Sequence, residues 1–181
     1  TNNTEKFLQN YKLDGKIFRK DGVDVTNDAM EVIHRGLFGE ENIQKEIEKV
    51  IKFLNNEEIP SLIKISIIHF YVEYIHPFYD GNGRFGRYLL SMNLAKYVGK
   101  YTALSISYII AQNKTKYYKS FKEVESKYNL GEITFFVENI LENIVEGQNS
   151  ILELVEKTIE KAEYMDKMCK EIEEENKELK K

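Results

Sequence analysis

The sequence predicts an all-α protein that carries one small β-hairpin and a long C-terminal amphipathic helix. Apolar residues recur at spacings of three and four along most of the chain from residue 41 onward, which is the period of a helix with one buried face. Only residues 22–35 contain short β-branched runs around turn-forming residues. Residues 149–181 are rich in Glu and Lys around an apolar stripe, which indicates a helix with one solvated face.

Length and composition set the domain organisation. A chain of 181 residues suits one compact domain with an appendage, and we divide it into residues 1–148 and 149–181. The net charge of -4 argues against a general nucleic-acid binder. No apolar run approaches the roughly 20 residues that span a bilayer, and "TNNTEKFLQN" lacks the features of a signal peptide. We therefore expect a cytoplasmic protein without a nucleic-acid or membrane partner. The missing initiator Met suggests that an N-terminal portion was removed.

The elements follow in order. In the hairpin, "VDVT" and "EVI" are the strands and "NDAM" is the turn. A helix starting near Glu41 ends at "NNEEIP", and Pro60 opens an apolar, central helix. That helix should stop at His76, because Pro77 disfavours helical geometry in the residue before it. The next helix, "RFGRYLLSMNLAKYVG", ends at Gly99, and further helices are expected at about 106–127 and 134–146.

The C-terminal segment begins after "EGQNS", where the composition shifts and we expect a break. We favour packing of its stripe on its own domain over pairing with another chain, because so short a repeat does not establish a coiled coil. The lone cysteine of the chain falls in this stripe, so no internal disulfide is possible. The residues of the stripe are Leu152, Val155, Ile159, Ala162, Cys169 and Ile172.

The segment "HPFYDGNGRFGR", residues 76–87, joins the end of the central helix to the start of the next. The first turn of a helix has unpaired N–H groups and a positive dipole, so it attracts anions. Gly81 and Gly83 allow the main chain to come close to a ligand, and successive N–H groups form an anion-binding nest. Arg84 and Arg87, three residues apart, reach further oxygens from one face of the helix. These features predict a polyphosphate site.

Two more residues of this segment indicate the chemistry. Asp80 beside bound phosphates needs a cation between the charges, and Mg²⁺ accepts one or two protein carboxylates together with water. His76 has a side chain whose ordinary pKa of about 6.5 lets it accept a proton at neutral pH. A base, a phosphate site and a metal ligand together predict transfer of a phosphate-containing group to a hydroxyl.

All twelve positions match HPFx[D/E]GNGRxxR, the signature of the Fic family, and residues from about 12 to 146 resemble that family. The resemblance implies a compact helical domain with a hairpin flap over the site. It implies transfer of AMP from ATP, with Mg²⁺, to a Ser, Thr or Tyr hydroxyl of a target protein. By the same resemblance, His76 is the general base, Phe78 the buried anchor of the loop and Asp80 the metal ligand.

The resemblance also assigns the binding residues. Gly81, Asn82 and Gly83 form the anion hole for the α- and β-phosphates, Arg84 holds the β/γ end and Arg87 the γ-phosphate. Either Tyr117 or Tyr118 lies at the adenine pocket. The flap pairs with an extended target segment by strand addition. The flap residues expected to do so are Val23, Asp24, Val25, Val32 and Ile33.

Other activities remain open. In the Doc-type branch a lysine replaces the last loop glycine and a phosphoryl group is moved, so Gly83 favours nucleotidyl transfer. Branches that move UMP or phosphocholine share the signature, and removal of AMP would need a suitably placed glutamate. A third possibility is a non-catalytic module whose C-terminal helix recruits a partner, although such a module would not need His76.

Family members are often inhibited by a helix with the pattern [S/T]xxxE[G/N]. "TFFVEN" matches it with Glu138, but we interpret this helix as core, with Phe135 and Phe136 facing inward. "TNNTEK" supplies a glutamate without the rest of the pattern, so an inhibitory helix is expected upstream or in a separate antitoxin-like protein. His69 should be a hydrogen-bonded core residue, and His34 an exposed residue of the hairpin.

Overall fold

The computed structural model describes residues 14–26 and 29–178 of the chain. Residues 1–13, with "TNNTEK", and two positions of the "NDAM" turn lie outside them. The described part is all-α with one antiparallel hairpin and a long C-terminal helix, as predicted. Its elements are β1 (Asp24–Thr26), β2 (Val32–Arg35), α1 (Glu40–Leu54), α2 (Ser61–Ile75), α3 (Asn82–Val98), α4 (Lys100–Gln112), α5 (Lys114–Val124) and α6 (Thr134–Glu178).

Helix α2 is the centre of the domain, as its apolar sequence predicts. It packs against α1, α3 and α6, and it contributes to both hydrophobic clusters of the core. Ile65 and Phe70 belong to the cluster shared with α3–α6, whereas Ile68 and Val72 belong to the cluster shared with α1. Because α2 is packed on opposite sides, the residue at its C-terminal end is held firmly in place.

The expected helix at 106–127 is two helices, and this prediction was wrong. Helix α4 begins at Lys100, directly after Gly99, and ends before Asn113. The Asn113 side chain donates hydrogen bonds to Asn143 Oδ1 (2.9 Å) and Glu146 Oε2 (2.7 Å) on α6. Such side-chain bonds compete with a continuous helix, so the chain changes direction there and α5 starts as a new helix.

Helix α6 runs without a break through "EGQNS", which also corrects the sequence prediction. A Cβ on Gly147 would lie 2.7 Å from Ser105 Oγ, so this glycine allows α6 to pass close to α4. The expected packing of the C-terminal stripe on its own domain is wrong as well. Leu152, Val155 and Ile159 are 59%, 48% and 52% exposed. Among the described residues, no helix has both the length and the apolar character that crossing a bilayer requires.

Candidate active site

A cleft of about 180 Å³, open to solvent, lies between the hairpin and helices α2, α3 and α5. It brings together several residues that the sequence predicts for the site. These are Val25, Ile33, His76, Gly83, Arg87, Tyr117 and Tyr118. The other predicted residues do not line this cleft. In the hairpin these are Val23, Asp24 and Val32, which lie in or beside the strands. In the loop and the start of α3 they are Asp80, Gly81, Asn82 and Arg84, the neighbours of Gly83 in the chain.

His76 ends α2, as the following proline predicts, and adopts a left-handed conformation with φ 52°. The fully buried Arg19 holds this strained end of the helix. Its Nε donates to the carbonyl of His76 at 2.8 Å, and its Nη2 lies 3.4 Å from the carbonyl of Ile75. The imidazole is therefore presented to the cleft from a fixed backbone.

The hydrogen bond of His76 determines its tautomer. Nδ1 lies 3.1 Å from the carbonyl of Glu73, and because a carbonyl only accepts, Nδ1 carries the proton. In the neutral ring Nε2 then has a free lone pair. Burial lowers the pKa of His76, and the nearby charges of His34 and Arg19 lower it further, although the Glu73 carbonyl opposes them. The ring is consequently in its base form at neutral pH.

The loop after His76 is braced by Asn82. Its Oδ1 accepts from the N–H of Phe78 at 2.8 Å, and its Nδ2 donates to the carbonyl of Phe78 at 2.7 Å. The half-buried Phe78 packs edge-to-face on Phe85, with ring centroids 5.1 Å apart. Because its side chain is occupied in this brace, Asn82 has only its backbone N–H to offer a phosphate.

The N-terminal end of α3 suits an anion. Gly81 occupies the cap position with φ 83°, no side chain caps this end, and no acidic residue lies in the first turn. A Cβ on Gly83 would lie 3.1 Å from Nη1 of Arg87, so the glycine lets the guanidinium lie against the first turn. The Arg84 side chain is 78% exposed and Arg87 is half-buried. Two cations therefore flank the first turn of α3, whose N–H groups have no carbonyl one turn earlier in the helix to bind.

Asp80 fits a Mg²⁺ site that is completed by substrate. Its Oδ1 accepts from the N–H of Gly81 at 2.6 Å, and its Oδ2 lies 3.4 Å from Nη2 of Arg84. The carboxylate is 60% exposed, and the described residues contain no cluster of three or more metal-binding side chains. Mg²⁺ here would take one protein carboxylate and complete its shell with phosphate oxygens and water, as Mg²⁺ usually does.

The two adjacent tyrosines differ in their surroundings. Tyr117 is 2% exposed and its hydroxyl lies 2.8 Å from Nε2 of His69. His69 is itself 2% exposed, so this contact through Nε2 confirms it as a hydrogen-bonded core residue, although its Nδ1 is buried without a partner. Burial lowers its pKa to about 3. Tyr118 is 46% exposed and also lines the cleft. Its ring is thus more open to an adenine base than that of Tyr117.

Glu73 is a cleft residue to which the sequence motif does not point. Its Oε1 is buried without a hydrogen-bond partner, and burial raises the pKa of the carboxyl to about 7 against the opposing charges of Arg87 and His34. The sequence carries one signal for it: Glu73 is the one acidic residue of a largely apolar helix and lies three positions before the base.

Two further predictions are corrected by the structure. His34 is not exposed: its side chain is 12% exposed and contacts Glu125 and Tyr74. In α6, Phe136 is fully buried as expected, but Phe135 is 61% exposed because the helix turns it away from the core. Glu138 is exposed and lines a separate depression on α5 and α6, so it does not face Arg87 in this structure.

Comparison with known proteins shows which proteins this chain is similar to in sequence and in fold. The sequence profile of the Fic/DOC family matches residues 4–94. A protein of Aquifex aeolicus (strain VF5) described as a probable protein adenylyltransferase is 38% identical over 80 residues, which are 44% of this chain and 23% of that protein. A crystal structure of a Fic family protein from Desulfovibrio desulfuricans G20 has the same fold, with a TM-score of 0.66 and 24% identity.

This chain is shorter than both relatives. It spans about a quarter of the length of the Aquifex protein, and the structural match covers 76% of this chain and 41% of the solved one. The profile match includes the hairpin, α1, α2 and most of α3, and hence the whole segment from His76 to Arg87. The chain therefore belongs to the Fic/DOC family.

Proposed function

We propose that this chain is the catalytic domain of a protein adenylyltransferase, which transfers AMP from ATP to a Ser, Thr or Tyr hydroxyl of a target protein. One observation carries the proposal: His76, Gly83 and Arg87 line the same cleft, so that a base and a phosphate-binding helix end face one space. The described function of the Aquifex relative supports AMP as the transferred group.

In this proposal the triphosphate lies at the start of α3. The backbone N–H groups of residues 81–83 bind the α- and β-phosphates, while Arg84 and Arg87 bind the β/γ end. Asp80 would hold Mg²⁺, which when bound neutralises charge on the phosphates. The exposed ring of Tyr118 offers a stacking surface to the adenine at the other side of the cleft.

The proposed reaction is an in-line displacement at the α-phosphorus. Nε2 of His76 takes the proton of the target hydroxyl as its oxygen forms the new bond to phosphorus. The bond from the α-phosphorus to the bridging oxygen breaks, and pyrophosphate leaves with that oxygen. Negative charge that grows on the phosphate oxygens is stabilised by the N–H groups of the glycine loop and by the two arginines.

The hairpin is the proposed site for the target segment. Within the described residues β1 pairs with β2 alone, so each strand has an outer edge available for strand addition. Val23, Asp24, Val25, Val32 and Ile33 would contact the added segment. Val25 and Ile33 also line the cleft, so a segment on this edge would pass close to His76.

The proposal is tested by labelling a lysate in the presence of Mg²⁺ with α-labelled ATP, GTP, CTP or UTP. We expect protein labelling from ATP, and a loss of roughly 10²–10⁴-fold with His76→Ala, because a general base contributes about that much. Glu138→Gln, outside the cleft, should label like the wild type and serves as the matched control. Circular dichroism confirms that each variant is folded.

The same experiment separates the alternatives. Labelling from UTP instead of ATP would reassign the nucleotide, and transfer of labelled phosphocholine from a CDP-linked donor would reassign the group. Release of AMP from a pre-modified protein would indicate the reverse reaction. Equal nucleotide binding by wild type and His76→Ala, with no transfer by either, would contradict catalysis and favour a binding module.

A further inference from the structure

The ring of His34 joins the hairpin to the helical domain beside the cleft. Nδ1 lies 2.9 Å from Oε2 of Glu125, which follows the end of α5, and Nε2 lies 2.9 Å from the carbonyl of Tyr74 near the end of α2. Both partners are acceptors. Because a backbone carbonyl and an ionised carboxylate only accept, both bonds form with a carboxylate only when both ring nitrogens are protonated. The geometry therefore describes an imidazolium.

This cation lies next to the proposed base. The ring centroids of His34 and His76 are 5.9 Å apart, and both side chains line the cleft together with Glu125. The ring of His34 also contacts that of Tyr74, at 5.3 Å between centroids. One side chain on β2 thus contacts two helices and the neighbourhood of His76 at the same time.

We propose that His34 is a positioning residue that fastens the hairpin over the cleft through Glu125 and Tyr74 and, as a cation, disfavours a second positive charge on the neighbouring His76. The fastening stands on the contacts alone, whereas its effect on transfer rests on the proposed function. The sequence motif contains neither His34 nor Glu125, so only the contacts in the folded structure indicate this role.

The charges around His34 favour the cation. Burial lowers its pKa, but the hydrogen bond and charge of Glu125 and the carbonyl of Tyr74 raise it, and the net pKa lies above the ordinary 6.5. Glu73, whose own pKa is about 7, adds the smallest of these effects when it is ionised. The opposing cations of the cleft are Arg87, Lys122 and protonated His76. Since the folded pKa is raised, the fastening is complete below about pH 6.5 and is lost as the pH rises through the higher folded value.

The two histidines therefore titrate in opposite senses. The pKa of His76 is lowered and that of His34 is raised, so a window exists in which His76 is a neutral base and His34 is a cation. Transfer should rise with pH as His76 loses its proton and fall at higher pH as the hairpin is released. The expected pH profile of kcat/KM is bell-shaped.

The test is an NMR titration of the imidazoles, which is simple because the chain has three histidines. His34 should titrate above pH 6.5 and His76 below it, while His69 stays neutral down to about pH 4. His34→Gln should raise the pKa of His76, and Glu125→Gln should lower that of His34. Arg35→Lys, which keeps the charge of an exposed residue on the same strand that lies 3.5 Å from Asp24, is the matched control and should move neither.

Amide exchange of the hairpin gives a second measurement without any nucleotide. At pH 7, the amides of residues 24–26 and 32–35 should exchange roughly tenfold faster or more in His34→Gln and in Glu125→Gln, after correction for intrinsic exchange rates. Both variants lose the charge-assisted hydrogen bond between positions 34 and 125. His34 titrating at or below 6.5, or unchanged hairpin exchange in both variants, overturns the proposal. If both measurements hold but no transfer is found, the proposed function fails and the fastening stands.

Discussion

At Gly86, helix α3 lies so close to the Glu73 side chain of α2 that an added methyl group would displace the carboxylate. A Cβ there would lie 2.1 Å from Oε1 of Glu73, the buried carboxylate oxygen without a partner. The carboxylate can occupy its place in the cleft wall only because position 86 has no side chain. Gly86 thus determines where the Glu73 carboxylate lies, one residue before Arg87, even though the signature leaves this position free.

We expect Gly86→Ala to lower the free energy of unfolding by roughly 1–3 kcal/mol, as overpacked sites usually do. In a Glu73→Ala background the obstacle is gone, and the same change should be neutral or stabilising by up to about 1 kcal/mol, since Ala favours helix over Gly. Urea denaturation of the wild type, the two single variants and the double variant measures the free energy of coupling between positions 73 and 86. Equal effects in both backgrounds would contradict the contact.

At the scale of elements, the loop between α2 and α3 depends on Asn82. Its side chain satisfies the N–H and the carbonyl of Phe78, and it is 3% exposed. The loop is therefore formed before any ligand binds, which reduces the entropy that binding must overcome. The strained end of α2, held by Arg19, fixes the other side of the same loop.

Asn82→Ala should leave two backbone groups of Phe78 unsatisfied and cost roughly 2–4 kcal/mol of stability. We also expect weaker binding of ATP with Mg²⁺ by calorimetry, because the loop is no longer held open for the phosphates. Asn93→Ala is the matched control on the same helix: its one side-chain bond is to the Leu89 carbonyl at 2.9 Å. It should cost roughly 1 kcal/mol and leave ATP affinity unchanged; equal losses of affinity would contradict the role of the loop.

At the scale of the molecule, α6 has two parts with different roles. Up to Gly147 it belongs to the core, with Phe136, Ile140 and Ile144 almost fully buried. From residue 148 to residue 174 its side chains are exposed apart from the half-buried Ile151. We therefore propose that residues up to 148 suffice as the folded catalytic unit, although one helix continues across this boundary.

Truncation after Gln148 should change the free energy of unfolding by less than about 1 kcal/mol, since exposed side chains contribute little. Truncation after Leu141 is the control, because it removes the buried Asn143 and Ile144 and should prevent folding. Thermal melts followed by circular dichroism distinguish the two. Failure of the longer form to fold would place part of the core beyond residue 148.

Much of the site could be predicted because its parts are adjacent in the chain. The stop at His76, the glycine loop and the start of α3 all lie within twelve residues, and local backbone rules govern each of them. The role of His34 could not be predicted from the sequence, because its partners are 40 and 91 residues away and its sequence context is that of an exposed strand. The same holds for Arg19, which binds the carbonyl of the nearby Asp21 but also the carbonyls of Ile75 and His76, more than 50 residues further along the chain.

The sequence by itself determined the all-α class, the hairpin, the bounds of α2 and the family signature, because helical periodicity, turn residues and helix caps act over a few neighbouring positions. Only the tertiary structure decided that α6 is continuous, that Phe135 and the C-terminal stripe are exposed, and that Glu73 and His34 adjoin the base. These features depend on which surfaces of distant elements meet, and burial, pairing and pKa are set by those contacts.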